Sequence, residues 1–486
     1  MILTDISPFF ARDARLLADY AGRDTLWRAQ AQDALAQYAR DLPTDDAIGA
    51  IQQARRVMRV FTAGLENDAG FLKTLAGATM PLWTAFNEPP VPRALQDTLA
   101  EKLYIVQAES EAPLLEIGDQ ARYIGVRLFD RCVSEKRRFD ISVHDENFFA
   151  LLINAADVTG IAALAADLIA ARAEITTRIL CQHNLPEWTV IEPDPVKIKA
   201  YRAALAPWRE RVLSGKMRSV LTSIPTQRDA VVDGIAHADY ATLYFRMCDQ
   251  PWDLIRTAQA RLIETLNAGK NLHFTNEDGT DLRMSIDGFT FCNSVIARNI
   301  PGSEVFSAPE IDSVNGVIVA QGRFTARDDA GAIMENLRLT FRDGLLVEAL
   351  AESGQAHLDR VLDTDAGARR VGEIGIGTNP YLKQHVASIL LSEKIGGSFH
   401  IALGDAYTMT DYLGERVHVD NGNRSLVHWD ITTMLYGKGG RIVLDGAPIM
   451  IDGAFTDPAL DVLNRGWRAV PFDQRPPAWQ DIYTEK

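Results

Sequence analysis

The sequence is short of cysteine, of long apolar runs and of basic charge, and each shortage removes a class of protein. Four cysteines, Cys132, Cys181, Cys248 and Cys292, are scattered through 486 residues without a C-x-x-C pair. Neither a disulfide framework nor a thiolate zinc site is expected. No apolar run approaches the roughly 18 residues that a membrane helix needs, so no membrane partner is expected. The opening stretch MILTDISPFFARDARLL carries Asp5 and Asp13 where a secretory signal would be basic, and a cytoplasmic protein is expected. With 50 Lys+Arg against 65 Asp+Glu the formal charge is −15. Such a surface repels nucleic acid, and the acidic excess serves solubility. The catalytic signatures H-E-x-x-H and G-x-S-x-G are absent. VGEIGIGTN lacks the G-x-G-x-x-G spacing of a dinucleotide loop.

What is present is an ordinary globular composition, 47% hydrophobic and 24% charged, in a chain too long for one core. Residues 1–90 predict a helical N-terminal extension: DTLWRAQAQDALAQYAR has apolar residues at helical spacing, and NEPPVPRAL breaks the pattern. Residues 91–270 predict an α/β domain. SEKRRFDISVHDENFFALLINAA and RSVLTSIPTQRDAVVDGI both read as strand, polar turn, helix, the grammar of a parallel sheet. From residue 271 to 486, glycine-punctuated strands dominate and predict a β-rich domain, with Asn276–Thr280 as a hairpin turn. The fold class expected is therefore α/β plus α+β.

Six of the nine histidines follow residue 270. His400 lies in SFHIALGDAY, a run that otherwise alternates as a buried strand, with Tyr407 seven residues on. His428 and Asp430 in SLVHWDITTM share one strand face, since side chains alternate with period two, while Trp429 points away. Glu304 lies in NIPGSEVFSAP. Glu373 lies between Gly372 and Gly375, and Glu393 precedes the Gly396-Gly397 turn. Each has an ordinary reading taken alone. A strand histidine is usually a hydrogen-bonded core residue, Glu304 a cap or ion pair, and Glu373 a buried ion pair. Tyr407 alone reads as a packed aromatic, and Glu393-Lys394 as a solvated turn.

PGSEVFSAP, VGEIGIGTNP, EKIGGSFHIALGDAY and VHWD, in that order, resemble the metallo-aminopeptidases of the M29 family, the aminopeptidase T or thermophilic aminopeptidase family. The resemblance is clear from about Asn271 to Phe455 and looser from about residue 100 to 270. It implies a site for two divalent metal ions, Zn, Co or Mn, with Glu304, Glu373, His400, His428 and Asp430 as ligands. Glu373 would bridge the metals, a hydroxide shared between them would attack, Glu393 would move protons and Tyr407 would support the oxyanion. In the family the additional glutamate lies closer to the first motif histidine than Glu393 does here. Peptide substrates with a free N-terminus and a homodimer with an enclosed cavity are implied as well. Four carboxylates so close together need cations, which fits two dications and one hydroxide. A different enzyme class shares part of this set: His400, His428 and Asp430 make a 2-His-1-carboxylate group, as in non-haem Fe(II) ring-cleaving dioxygenases of the dihydroxypyridine type, which resemble this fold. A non-catalytic scaffold with a vestigial site is a third reading.

Overall fold

The computed structural model describes residues 89–480, leaving out 107–112, 184–192, 214–216, 297, 326–331 and a set of positions between 119 and 155. The expected helical extension over residues 1–90 therefore lies almost wholly outside the described residues. The chain divides into two compact units, 1–228 and 229–486.

In the first unit, helix α1 (Arg93–Val106) begins just past the proline-rich break, as the fixed ring geometry of proline favours. Strands β1 (Pro113–Ile117) and β2 (Asp140–Val143), helix α2 (Val158–Ala171), β3 (Thr177–His183), helices α3 (Pro195–Ala204) and α4 (Ala206–Leu213), and β4 (Arg218–Ile224) follow. The strands form an all-parallel sheet in the order β2-β1-β3-β4. A central parallel strand is covered on both faces, and all five residues of β1 are buried. Its Glu116 is matched by Arg172 and Arg178, which removes the cost of an unpaired buried charge. Asp157 caps α2 by accepting from Gly160 N at 2.7 Å.

The second unit opens with α5 (Gln227–Asp233, which starts two residues early), α6 (His237–Cys248) and α7 (Trp252–Ala268). Trp252, Ile255, Ala258, Leu262 and Leu266 line one buried face of α7 and join the core under the β-sheets. This compact unit runs from Asp229, and α7 supplies part of the core beneath its strands. Next come β5 (Asn271–Thr275) and β6 (Asp281–Ser285), an antiparallel pair joined by the expected turn, where Thr280 N donates to Asn276 Oδ1 at 2.9 Å. The order continues with β7 (Cys292–Ser294), β8 (Glu304–Ser307), β9 (Asn315–Thr325), β10 (Ile333–Arg342), β11 (Leu345–Ser353), α8 (Gln355–Leu362), β12 (Val371–Gly377), α9 (Ile389–Ser392), β13 (Ser398–Gly404), β14 (Asp411–Tyr412), β15 (Glu415–Arg416), β16 (His428–Met434), β17 (Arg441–Leu444), β18 (Ala447–Ile451) and β19 (Ala454–Phe455). Three antiparallel sheets result among the described residues, β11-β10-β9-β6-β5-β17-β18-β19, β16-β13-β12-β8-β7 and the small β14-β15 pair. Phe274 of the first stacks on Phe399 of the second at 4.2 Å between ring centroids. Truncating so buried a ring costs about 3–5 kcal/mol.

Candidate metal centre

Four neighbouring strands of the five-stranded sheet carry the ligand candidates. Val305, Ile374, Ile376, Phe399, Ile401, Leu403, Trp429 and Ile431 all enter the hydrophobic core. Because side chains alternate along a strand, Glu304, Glu373, His400, His428 and Asp430 emerge on the other face. The register aligns Glu373 with Ala402 and Ala402 with Asp430, and sets His400 opposite Gly375. Gly375 is needed there, since a Cβ at that position would overlap Cε1 and Nε2 of the His400 ring.

Glu373 sits between the two histidines. Its Oε1 lies 3.6 Å from His400 Nε2, and its Oε2 lies 3.2 Å from His428 Nε2. Glu304 Oε2 lies 3.7 Å from His400 Nε2, and Asp430 Oδ1 lies 3.7 Å from His428 Nε2. Two donors bound to one ion at about 2.1 Å in tetrahedral geometry are about 3.4 Å apart, so these spacings suit shared cations better than hydrogen bonds. One atom each of Glu373, His428 and Asp430 lies within 4.8 Å of the others. Glu304 Oε2, Glu373 Oε2 and both ring nitrogens of His400 are buried without a hydrogen-bond partner. Buried polar atoms are seldom left so, and the facing pair Glu304 Oε2 and His400 Nε2, 3.7 Å apart, fits a shared cation. The donor set is nitrogen and oxygen only, which suits a divalent ion.

His428 Nδ1 donates to the carbonyl of Asp405 at 2.8 Å, which turns Nε2 toward Glu373 and Asp430. That carbonyl is delivered by Gly404, whose φ of 103° favours glycine. The turn also sets Tyr407 beside the ligands, its ring centroid 5.4 Å from His428 and 5.3 Å from Phe306. Tyr407 is 37% exposed, so it borders an open side of the site.

Glu393 and Lys394 depart from the solvated turn expected of them. They follow α9, and the lysine is 0% exposed. Lys394 Nζ donates to Glu304 Oε1 at 2.5 Å and to Glu393 Oε2 at 2.6 Å. Nothing in a single sequence marks such a lysine, because a lysine beside a glycine turn is normally solvated. The Asp405 carbonyl was equally hidden, since backbone acceptors leave no residue signature.

The charges act on one another strongly. Burial alone would raise Glu373, but the neighbouring His400 and His428 imidazoles outweigh it and hold the carboxyl at about 2. Burial opposes the charged imidazoles, yet Glu373 and its neighbouring carboxylates push His400 up to about 9, and Asp430 with Glu373 push His428 up to about 10. Asp430 is raised to about 7 by burial and by Glu393. Burial also raises Glu304, against the pull of Lys394. Desolvation and the surrounding carboxylates push Tyr407 well above the usual tyrosine value. The ligand set thus demands positive charge, which protons or metal ions can supply.

The sequence profile of the thermophilic metalloprotease (M29) family matches residues 163–455. This chain belongs to the M29 family. The M29 chain is 33% identical over 199 residues to aminopeptidase T of Thermus thermophilus, a match covering 37% of this chain and 47% of that protein. It is 33% identical over 172 residues to aminopeptidase 2 of Geobacillus stearothermophilus, covering 33% of this chain and 37% of the relative. The chain thus spans less than half the length of these curated relatives. The solved structure of wild-type AmpT from Thermus thermophilus superposes with a TM-score of 0.61 at 24% identity, covering 75% of this chain and 100% of that one, which establishes a shared fold. Mixed helix and sheet in this M29 chain agrees with the α/β plus α+β class expected from its sequence.

Proposed function

We propose that this chain is a metal-dependent aminopeptidase that hydrolyses the N-terminal peptide bond of peptides at a site for two divalent ions. One observation carries the reading: Glu373 faces His400 with one oxygen and His428 with the other, as a carboxylate between two cations would. Glu304 and His400 would complete one position, and His428 and Asp430 the other. Divalent ions held there would polarise the scissile carbonyl and make a water acidic near neutral pH. Glu393, with one oxygen held by Lys394, would take a proton from the attacking water and return it to the leaving amine. Tyr407, whose pKa is raised by burial and the surrounding carboxylates, would donate a hydrogen bond to the developing oxyanion. A homodimer and a cytoplasmic site of action go with the same reading.

Dialysis against a chelator should abolish hydrolysis of Leu-Gly, and Co, Zn or Mn should restore it. Acetyl-Leu-Gly should be cleaved far more slowly, because acetylation removes the amine that fixes the substrate's register. Equal rates for the free and acetylated peptides would end the aminopeptidase assignment. Activity that saturates at one iron per chain and needs O₂ would install the ring-cleaving dioxygenase reading in its place.

A further inference from the structure

Among the described residues, Lys394 is the lysine whose ammonium touches a proposed ligand. Its side chain has no contact with solvent. Two carboxylates hold it, at 2.5 Å and 2.6 Å, and they are different in kind: Glu304 is a ligand candidate and Glu393 the proton carrier. Its backbone is fixed as well, since Lys394 N donates to Leu391 O at 3.1 Å and Lys394 O accepts from Asn379 N at 2.8 Å. The ammonium therefore cannot leave without breaking a packed segment. Burial alone would strip its proton, but Glu304 and Glu393 outweigh that and raise its pKa.

The placement is asymmetric. Lys394 takes Glu304 Oε1, and Glu304 Oε2 faces His400 with no hydrogen bond. The second cluster, Glu373 with His428 and Asp430, forms a donor set of its own. A dication on the His400 side meets a nearby ammonium and one available Glu304 oxygen. A dication on the His428 side meets neither restriction. Like charges in a buried site repel strongly, so the two positions differ in affinity.

We infer that Lys394 is a positioning residue that makes Glu304 a one-oxygen ligand and renders the His400 position the weaker, later-filled of the two metal positions. The inference rests on the proposed two-ion reading. With Glu304, Glu373, Glu393 and Asp430 ionised, Lys394 also brings the set to neutrality when two dications and one hydroxide are present. Without it the set would keep one negative charge.

The experiment titrates the metal-free full chain with Co(II), following heat and the visible d–d bands, for the wild type, Lys394→Met and Lys394→Gln. The wild type should load in two steps. In both variants the second step should tighten at least tenfold, and its d–d band should weaken as Glu304 becomes free to bind through both oxygens. Both metal-free variants should lose thermal stability and regain it with Co(II). A second step within twofold of wild type, a weakened second step, an unchanged band, or single-step loading in the wild type would each overturn the inference. So would failure of both variants to fold in Co(II)-supplemented medium, since the lysine would then be a fold element only. A wild type that binds no divalent ion would instead sink the two-ion reading, a distinguishable result.

Discussion

Gly375→Ala tests the site by one methyl group. Gly375 sits in β12 opposite His400 and lacks the positive φ that would make any substitution strained, so the effect isolates a side-chain contact. The added Cβ would overlap Cε1 and Nε2 of the imidazole, and Nδ1 would lie only 2.9 Å away. Carbon–nitrogen contacts are comfortable at about 3.5 Å or more and the added Cβ would lie 2.1 Å from Nε2, so the ring must retreat by more than about 1 Å. His400 is 0% exposed and has no open space to enter. Overpacking of this kind costs about 1–3 kcal/mol of stability. The functional loss should be larger, because metal–ligand distances tolerate only about 0.2 Å and a 1 Å misplacement costs about 10²-fold in rate. Metal titration, peptide hydrolysis and urea unfolding on the same preparation should show a folded protein with metal affinity down about tenfold or more and kcat/KM down about 10²-fold. A variant with wild-type affinity and kcat/KM within twofold would show that His400 is not a ligand.

Glu373→Gln should lower metal content and activity together, because one residue faces both histidines; elemental analysis beside an activity assay reads both. Tyr407→Phe should keep its metal and lose about 10²-fold in kcat, the contribution of one oxyanion donor, and an unchanged kcat would remove the tyrosine from the mechanism. His400 at about 9 and His428 at about 10 hold protons at pH 7.5 that a metal must displace, so loading should release about two protons and weaken as pH falls. Calorimetry in buffers of different ionisation heat counts them, and zero release would contradict imidazole ligation. In the metal-free chain these raised pKa values stabilise the fold fully below 6.5 and lose that contribution as pH rises through about 9 and about 10, which urea melts across that range would show.

The strands of the site were legible because period-two alternation leaves a trace. Phe399, Ile401 and Leu403 announced one buried face of β13, which left His400 on the other, and Trp429 did the same for His428 and Asp430. The conjunction of Glu304 and Glu373 with them was not a matter of periodicity; it came from four motifs in a shared order. Lys394 stayed hidden because burial of an ammonium depends on partners ninety residues away and one residue away, and only the first of these is unusual. The packing of α7 was hidden for a related reason. Helix α7 has an amphipathic pattern that suits either neighbour, and only the packing of Ile255, Leu262 and Leu266 against β-strand residues assigns it.

The order of the five-stranded sheet also sets a schedule. Its donors come from strands that leave the ribosome in the sequence Glu304, Glu373, His400, then His428 and Asp430, and the last pair lies on β16 at the sheet's edge. Until that strand is synthesised and docked on β13, the growing chain owns only the half of the set beside Lys394, the half that already has a resident cation. An ion met during synthesis therefore finds no complete cage, and ordinary non-local pairing delays its formation further. On the proposed ligand set, metal loading would be an event of the finished chain, governed by whatever metal is free in the compartment where folding ends.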